Sequence, residues 1–410
     1  MTTAPTATTN DATPWRSHAL VNGTVAWLFA VTGPIAVLLS VAISTGLDGA
    51  TVNSLILASH VVGGGLSIWF SVRHRQPLGL AWTIPGAVLL GPALAHLSFS
   101  EAVGAFLVTG LLLTLLGVTG WARAAMSFVP LPLVMAMVAA IFLPFVLDVV
   151  TAFRGEAALA AAMIVTFLLA TALARRVRGV PPVLVALVAG VAVVAVVDPT
   201  LLRVGADGLL ATPRLVRPTF STQAMLELVV PMALTVVAIQ NAQGFAILHQ
   251  AGYAPPEDRL TTACGLGSLV SAPFGAVSTC VTGPVNAILN ASGPHAMRWV
   301  GGVVFGILLA LFGLFAPAAT ELALSLPREF IAVLGGLALL PVLTASFRAA
   351  FGGARWQLGS LTTFVVTLSG VTILRISAAF WGLLLGMAVS WIVERDDVRA
   401  LLAERRGPSS

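Results

Sequence analysis

The sequence predicts an all-α polytopic membrane protein, and three observations support that prediction. Of the 410 residues, 58% are apolar and only 9% are charged, whereas a soluble domain is typically about 25% charged. Several apolar runs approach the roughly 20 residues with which a helix crosses a bilayer. Proline and glycine interrupt one such run in each half of the chain, at corresponding positions, which favours an internal repeat.

The apolar runs predict fourteen membrane segments in two sets of seven. Residues 198–222 form the longest polar interruption and separate a first repeat, 21–197, from a second, 223–393. Seven spans in each half place the halves in opposite orientations, an inverted repeat typical of secondary transporters with a site near the midplane. The predicted segments are 24–44, 51–72, 78–96, 100–118, 128–150, 156–174, 181–197, 223–249, 259–273, 275–291, 297–316, 328–347, 357–374 and 376–393.

The arginines predict the orientation of these segments. All 21 basic residues are Arg, and cytoplasmic loops carry an excess of basic residues. A cytoplasmic N-terminus places fifteen of them inside, and the other six outside are Arg154, Arg203, Arg214, Arg217, Arg328 and Arg375. We therefore expect both tails, a disordered 1–20 and 394–410, in the cytoplasm and the protein in the plasma (bacterial inner) membrane. The loop arginines expected inside are Arg73, Arg75, Arg123, Arg175, Arg176, Arg178, Arg259, Arg298, Arg348 and Arg355.

Several classes of function are excluded or disfavoured. Without lysine, a phosphate-binding loop of the G-x-x-x-x-G-K-[ST] type is impossible. Scattered arginines give no nucleic-acid surface. The two cysteines, Cys264 and Cys280, have no metal-binding spacing, so we expect neither metal nor cofactor. No H-E-x-x-H or G-x-S-x-G motif supports an intramembrane enzyme, whereas a channel remains an open alternative.

The two interrupted runs are Trp82-Thr-Ile-Pro-Gly-Ala87 and Val281-Thr-Gly-Pro-Val-Asn286. Backbone leaves the helix at membrane depth only where it is buried in protein or lines a cavity, and Pro is favoured in the first turn of a helix. We therefore predict that segments three and ten each consist of a short strand followed by a half-helix that begins at Pro85 or Pro284. Simple proline kinks are the alternative.

Two half-helix N-termini that meet at the midplane would attract an anion without any basic side chain, because each has unpaired N–H groups and a partial positive charge. The residues around both breaks are therefore candidates for substrate binding. They are Thr83, Pro85, Gly86, Ser278, Thr279, Thr282, Gly283 and Asn286.

A third polar element, Gln240-Asn-Ala-Gln-Gly244, lies in segment eight. Amides are costly at membrane depth unless they face a cavity or bind one another. Gln240 and Gln243 share one helix face, and Asn241 points about 100° away. Bonds between helices are the alternative use of such amides. We expect at least one of the three to contact substrate and another to hold a neighbouring segment.

These features together resemble the benzoate transporter (BenE) family. The resemblance covers roughly residues 20–393, and Gln240–Gly244 followed by Tyr253-Ala-Pro-Pro256 is its most specific part. It implies a fold similar to that of the nucleobase–ascorbate transporters and the sulfate/anion exchangers. A core domain (segments 1–4 and 8–11) would move against a gate domain (5–7 and 12–14). It also implies uptake of an aromatic carboxylate with protons, with a homodimer as one oligomeric alternative.

One departure from the nucleobase relatives bears on the substrate. Those proteins use carboxylates in segments eight and ten, where this chain has amides and hydroxyls. A site without negative charge suits benzoate or a similar aromatic acid; an inorganic anion or nucleobase carrier of the same fold is the alternative.

The proton carrier and the ring contacts are less well determined. His60 is the only histidine deep in a span and is a candidate carrier, unless it is a neutral core residue or the substrate carries its own proton. Asp148 and Glu227 are expected to be interfacial. Candidate contacts for an aromatic ring are Trp82, Phe245 and Phe274.

Overall fold

The computed structural model describes residues 13–122, 130–173, 181–202, 208–371, 373 and 378–406. Most of this chain is helical, which confirms the predicted class. Seven described helices are long and apolar enough to cross a membrane, or eight if the bent pair Ala378–Val393 and Arg395–Leu401 is one span. Other apolar helices are shorter, so the count of fourteen stays a prediction. The seven are Arg16–Thr45, Gly49–His74, Phe99–Val118, Leu131–Arg154, Thr222–Gln250, His295–Leu314 and Arg328–Phe351.

The elements are labelled here in chain order, with short 3₁₀ turns omitted. The two strands are β1 (Leu80–Trp82) and β2 (Thr279–Val281). The helices are α1 (Thr13–Thr45), α2 (Gly49–His74), α3 (Ile84–Val88), α4 (Leu90–Ala93), α5 (Phe99–Val118), α6 (Leu131–Thr151), α7 (Ala157–Leu173), α8 (Pro182–Val197), α9 (Thr222–Gln250), α10 (Glu257–Ser271), α11 (Gly283–Leu289), α12 (Trp299–Leu314), α13 (Ala316–Ser325), α14 (Arg328–Phe351), α15 (Gln357–Leu368), α16 (Ala378–Val393) and α17 (Arg395–Arg406).

The two strands pair with each other although about 200 residues separate them. They run antiparallel, with Ala81 opposite Cys280, and every strand residue is buried. Two further bonds extend the pairing: the N–H of Thr83 donates to the Ser278 carbonyl at 2.9 Å, and that of Thr282 to the Gly79 carbonyl at 3.1 Å. Each strand is followed at once by a short helix, α3 or α11, where the sequence placed the breaks.

Serines of the preceding helices satisfy backbone groups on the free edges of the strands. On α2, Ser67 Oγ accepts from the N–H of Leu80 at 2.8 Å and donates to its carbonyl at 3.0 Å. Ser71 makes the same pair of bonds with Leu78. On α10, Ser268 Oγ accepts from the N–H of Thr279 at 2.9 Å. A two-stranded ladder in an apolar interior needs such partners, because no water is present to provide them.

Glycines allow helices to cross at backbone distance. A Cβ added to Gly64 of α2 would collide with the carbonyl oxygen of Gly306 on α12, and one added to Gly306 would lie 2.6 Å from the Gly64 carbonyl oxygen. Gly302 and Gly306 form a G-x-x-x-G motif on α12. This motif therefore packs helices together, as small residues do in membrane proteins.

Residues 208–221 cross one end of the molecule and bind four helix ends. The N–H of Ala211 donates to Leu314 at the end of α12, and that of Arg214 to Ser54 Oγ of α2, both at 2.8 Å. The N–H of Val216 donates to Pro273 beyond α10, and that of Thr219 to Ser100 of α5. We call the side on which this segment lies the linker face.

One expectation needs correction. The first helix begins at Thr13, so residues 13–20 are helical and do not belong to a disordered tail; residues 1–12 lie outside the described residues. The helix continues through Gly33 and Pro34 without a break, and Gly33 packs against Ala338 of α14. Six arginines used to predict the orientation also lie outside the described residues: Arg123, Arg175, Arg176, Arg178, Arg203 and Arg375.

The crossing of α2 and α12 gives a matched pair of variants. Gly64→Ala places a methyl group against a backbone carbonyl, so we expect a loss of about 1–3 kcal/mol of stability from overpacking. A Cβ on the adjacent Gly65 meets nothing within 4 Å, so Gly65→Ala should be neutral or slightly stabilising. Thermal unfolding of the two purified variants measures the difference. Equal melting temperatures would contradict this packing.

Candidate functional site

The first half-helix, α3, is capped by its own segment. Thr83 has an extended backbone, and its Oγ1 accepts from the N–H of Gly86 at 3.3 Å. Pro85 lies in the first turn and has no N–H to satisfy. Gly86 is closely packed, since an added Cβ would collide with the Thr83 side chain and approach Met232 of α9. The three predicted residues of this break therefore lie together at the start of α3.

The second half-helix, α11, is open at its N-terminus. Thr282 precedes the helix, but its side chain caps nothing, and its buried Oγ1 has no hydrogen-bond partner among the described residues. The N–H groups of Gly283 and Val285 likewise donate no hydrogen bond within the described chain. The start of α11 therefore offers free donors together with the partial positive charge of a helix N-terminus.

Asn286 holds the two broken segments together. Its Oδ1 accepts from the N–H of Gly79 at 2.9 Å, and its Nδ2 donates to the carbonyls of Gly79 at 3.2 Å and Thr282 at 2.7 Å. Both donor hydrogens are thus used inside the protein. The side chain was predicted to bind substrate; in this structure it positions α11 against the strand that begins the other break.

Asn241 also holds a strand. Its Oδ1 accepts from the N–H of Val281 at 2.8 Å, and the side chain is 1% exposed. Its Nδ2 has no partner among the described residues. This amide therefore fixes β2 to α9 and retains one free donor.

Ser278 and Thr279 belong to the strand rather than to an open site. Both are buried, and Ser278 Oγ lies 3.3 Å from the sulfur of Met232. The backbone N–H of Thr279 donates to Ser268. Their predicted contact with substrate stays a prediction, and the contacts present here are structural.

Gln240 and Gln243 differ from Asn241. Neither side chain makes a hydrogen bond with any described residue. Gln240 is 7% exposed, and Gln243 is exposed and lies directly over Gly283, where an added Cβ would collide with it. Gln240 lies in the π-helical stretch Thr235–Asn241, and π turns often occur at functional sites. Two free amides therefore lie in α9, and one of them lies over the open start of α11.

His60 is fully buried beside the strand of the first break. Its ring lies 6.5 Å from that of Trp82 and 5.4 Å from that of Phe312, centroid to centroid. Because a carbonyl only accepts, Nδ1 donates to the Ile56 carbonyl at 2.9 Å. Its Nε2 has no partner in the described chain. A role in proton transfer stays a prediction.

The three candidate ring contacts do not come together. Trp82 is buried within β1, while Phe245 packs with Tyr253 and neighbouring apolar residues. Phe274 follows α10 near the linker face, and its carbonyl accepts from Ser54. Tyr253 itself donates its hydroxyl to the His295 carbonyl at 2.6 Å, and burial raises its pKa. Of the three rings, Trp82 is the one that directly precedes a half-helix in the chain.

Sequence reasoning missed an ion pair. Glu227 was expected to be interfacial, but its side chain is 0% exposed and its Oε2 lies 2.9 Å from His96 Nε2. Asp148, which received the same interpretation, is exposed. The two members of the pair are 131 residues apart, so no local pattern identified it.

The chain is similar in sequence to known membrane proteins over nearly its whole length. The family described as "Benzoate membrane transport protein" (BenE) matches residues 13–392. The inner membrane protein YdcO of Escherichia coli is 32% identical over 370 residues, which cover 90% of this chain and 93% of that protein. The benzoate membrane transport protein of Acinetobacter baylyi is 27% identical over 385 residues, 92% and 96% of the two chains.

Solved structures share the fold at low sequence identity. The transmembrane domain of the cyanobacterial bicarbonate transporter BicA aligns with a TM-score of 0.59 and 14% identity, covering 92% of this chain and 97% of that chain. SLC26A9 aligns with a TM-score of 0.65 and 13% identity, covering 92% of this chain and 65% of its own. The fold is therefore similar to that of these two transporters.

The amides near α11 have different roles, which thermal unfolding without ligand will separate. Asn286→Ala leaves the buried N–H of Gly79 without its partner, and a buried unsatisfied group costs about 1–3 kcal/mol. We therefore expect a marked fall in melting temperature. Gln243→Ala removes no hydrogen bond and should leave the melting temperature unchanged. A large fall for Gln243→Ala would contradict the assignment of a free side chain.

Proposed function

This chain belongs to the benzoate membrane transport protein (BenE) family, and from this premise we propose that it takes up benzoate or a similar aromatic carboxylate by secondary active transport. It is a membrane transporter and not an enzyme, like its relatives. The proposal concerns the substrate, the coupling to protons and the residues that bind the anion.

The observation that supports the proposal best is the free start of α11. There the N–H groups of Gly283 and Val285 and the hydroxyl of Thr282 have no partner among the described residues, and Gln243 lies over them. A carboxylate has two oxygens that accept such donors, and bonds to a charged group are about twice as strong as neutral ones. The Gln240 amide and the Asn241 Nδ2 add donors from α9.

The electrostatics of the surrounding segments agree with an anion. Residues 78–96, 230–250 and 275–291 contain no Asp or Glu, so no fixed negative charge opposes a carboxylate. A benzoate ring also needs an apolar wall. We propose Trp82 for this contact, because it directly precedes the first half-helix; Phe245 belongs to the buried cluster that includes Leu80 and Val281, and Phe274 lies near the linker face.

We propose alternating access of a core domain against a gate domain, in a fourteen-segment inverted repeat. The two strand-plus-half-helix breaks and the matching roles of Ser67 and Ser268 support the repeat. Segments 1–4 and 8–11 would form the core, and segments 5–7 and 12–14 the gate. Small residues line the contact between them, since Gly33 of α1 packs against Ala338 of α14 and Val183 of α8. Small side chains allow such surfaces to slide.

The remaining parts of the proposal are the predictions made from the sequence for the repeats, the orientation and the coupling to protons. The repeats are 21–197 and 223–393, the linker is 198–222, and both termini lie in the cytoplasm of a cell whose inner membrane holds the protein. Protons drive uptake, and His60 stays one candidate carrier from the sequence. The bound partners are a small organic anion, protons and lipid, with a homodimer as one possible assembly.

A carrier of inorganic anions is the alternative, because a helix N-terminus binds any small anion that fits. The absence of carboxylates near the break disfavours a nucleobase. An inorganic anion needs only the donors at α11. An aromatic acid needs these donors and also an apolar wall for its ring.

Thermal stabilisation by a ligand panel separates these substrates. A ligand that binds only the folded protein stabilises it by about 2.7 kcal/mol at 100 times its Kd. We expect benzoate and substituted benzoates to raise the melting temperature of the detergent-purified protein. Uracil, xanthine, sulfate and bicarbonate should not. A shift with sulfate or bicarbonate alone would overturn the substrate but retain an anion site.

The same assay tests the residues of the site. Gln243→Ala and Gln240→Leu each remove a free amide, and a hydrogen bond to a charged group is worth about 1.5–3 kcal/mol. We expect each variant to bind benzoate about 10- to 100-fold more weakly and to lose uptake in proportion, without loss of stability. Gln357→Ala, in α15 outside the proposed site, is the control. Unchanged affinity in both site variants would remove α9 from the site.

A further inference from the structure

A buried ion pair joins α9, which carries part of the candidate site, to the segment that follows the first half-helix, on the linker face. His96 Nε2 lies 2.9 Å from Glu227 Oε2, with side-chain exposures of 27% for the histidine and 0% for the glutamate. A buried carboxylate at this depth is costly unless a partner and hydrogen bonds compensate it. The partly exposed His96 therefore also connects the buried carboxylate with the surface.

The pair occupies distinctive positions in both elements. His96 follows α4, which continues the half-helix that starts at Thr83. Glu227 lies in a π-helical stretch, Met225–Val229, of the same helix that carries Gln240 in a second π-helical stretch. π turns inside helices often mark functional sites. Both π-helical stretches of α9 therefore hold a buried polar side chain, Glu227 in the first and Gln240 in the second.

Few other charged groups face the pair. One element packed against Met225–Val229 is α5, which contains Glu101. The Glu101 carboxylate lies near His96 and accepts a hydrogen bond from the N–H of Ser98. The described residues of α4 and α16, which also pack against this stretch, contain no titratable acid or base. Within α9 the only other titratable group is His249, near the opposite end. Proton exchange at this place therefore concerns His96 and Glu227 themselves.

We propose that the His96–Glu227 pair carries the proton that accompanies the anion. This inference rests on the proposed function and adds the place of the proton to it. With one proton shared between the two side chains, the pair is neutral as a whole. A second proton, passed from the surface through His96, forms an O–H bond on the Glu227 carboxylate beside an imidazolium and leaves a net charge of +1.

The charge of the pair then balances that of the substrate. A core that carries a carboxylate and the second proton has the same net charge as an empty core with one proton. Uncompensated charge is costly at membrane depth. In these two forms the core therefore changes readily between its inward-facing and outward-facing states. A core that carries only the anion, or only the second proton, has a net charge and changes between these states slowly. The inferred result is electroneutral symport of one proton for each anion.

The proton and the anion are coupled through this balance rather than by direct attraction. Glu227 and Gln240 are about 20 Å apart along α9 at 1.5 Å per residue. At an effective dielectric constant of about 20, two unit charges at that distance change each other's binding only about fourfold. Loss of the pair should therefore leave anion affinity nearly intact, which separates its role from that of the binding residues.

The experiment uses the full-length protein in proteoliposomes with radiolabelled benzoate, after subtraction of uptake by protein-free liposomes. The rate of wild-type uptake should increase with an inward proton gradient and should not depend on the membrane potential. The double variant His96→Gln/Glu227→Gln should bind benzoate within about fourfold of wild type. Its uptake should no longer follow the proton gradient and should instead increase with an inside-positive potential. Glu101→Gln, which leaves the pair intact, should behave as wild type.

Other results overturn the inference. One such result is uptake by the double variant that still follows the proton gradient and does not depend on the membrane potential. Another is the loss of proton-driven uptake in His60→Gln while the double variant retains it. If the double variant does not fold, the benzoate-induced infrared difference spectrum of Glu227→Gln decides. The C=O band of a protonated carboxylic acid should be present in wild type and missing in Glu227→Gln; an unchanged band contradicts the proposal.

The wild-type measurement tests the proposed function separately. If wild type takes up another anion of the panel with protons, the proposed substrate is wrong, and the same variants test the pair with that anion. If wild type uses no proton gradient for any anion of the panel, both proposals fail. If wild type is proton-driven and only the double variant disagrees, the inference fails alone.

Discussion

The structure depends on one requirement: a polypeptide that leaves the helix inside an apolar interior must still satisfy its backbone hydrogen bonds. Here the two interrupted segments satisfy each other, through the antiparallel pairing of β1 and β2. Serines of α2 and α10 cover the free edges, and Asn286 and Asn241 bind the backbone at the ends. Among the described residues, free donors remain at the start of α11 and on the nearby side chains of Gln240, Asn241 and Gln243. The fold therefore leaves several free hydrogen-bond donors beside the strand pair.

This division of polar groups also explains how the site can be selective. Most amides and hydroxyls near the breaks have structural partners, so they cannot rearrange for a ligand without a loss of stability. Those that remain free belong to two elements, α9 and α11, which meet at Gln243 and Gly283. A rigid strand pair with a few free donors beside it is preorganised for an anion. Movement of the surrounding helices then exposes or covers the site without disturbing it.

The sequence predicted the membrane class and the positions of both breaks, because composition and the Gly-Pro pairs act locally. It did not assign the individual amides. Gln240, Asn241 and Gln243 look alike in sequence, and only the three-dimensional contacts separate Asn241, which binds Val281, from the two free glutamines. The burial of Glu227 was missed for the same reason, since its partner His96 is remote in the chain. The continuous α1 shows that proline inside a membrane helix does not always break it.

The pairing of β1 with β2 also has a consequence for biosynthesis. Leu80 and Val281 are partners in the ladder, so β1 emerges from the ribosome about 200 residues before the strand that completes it. At synthesis rates of about 5–20 residues per second, that interval is roughly 10–40 s. During this time the first broken segment has only the serines of α2 to satisfy its backbone. The first half of the chain therefore has to wait in the membrane, or beside the insertion machinery, for the second half to finish it.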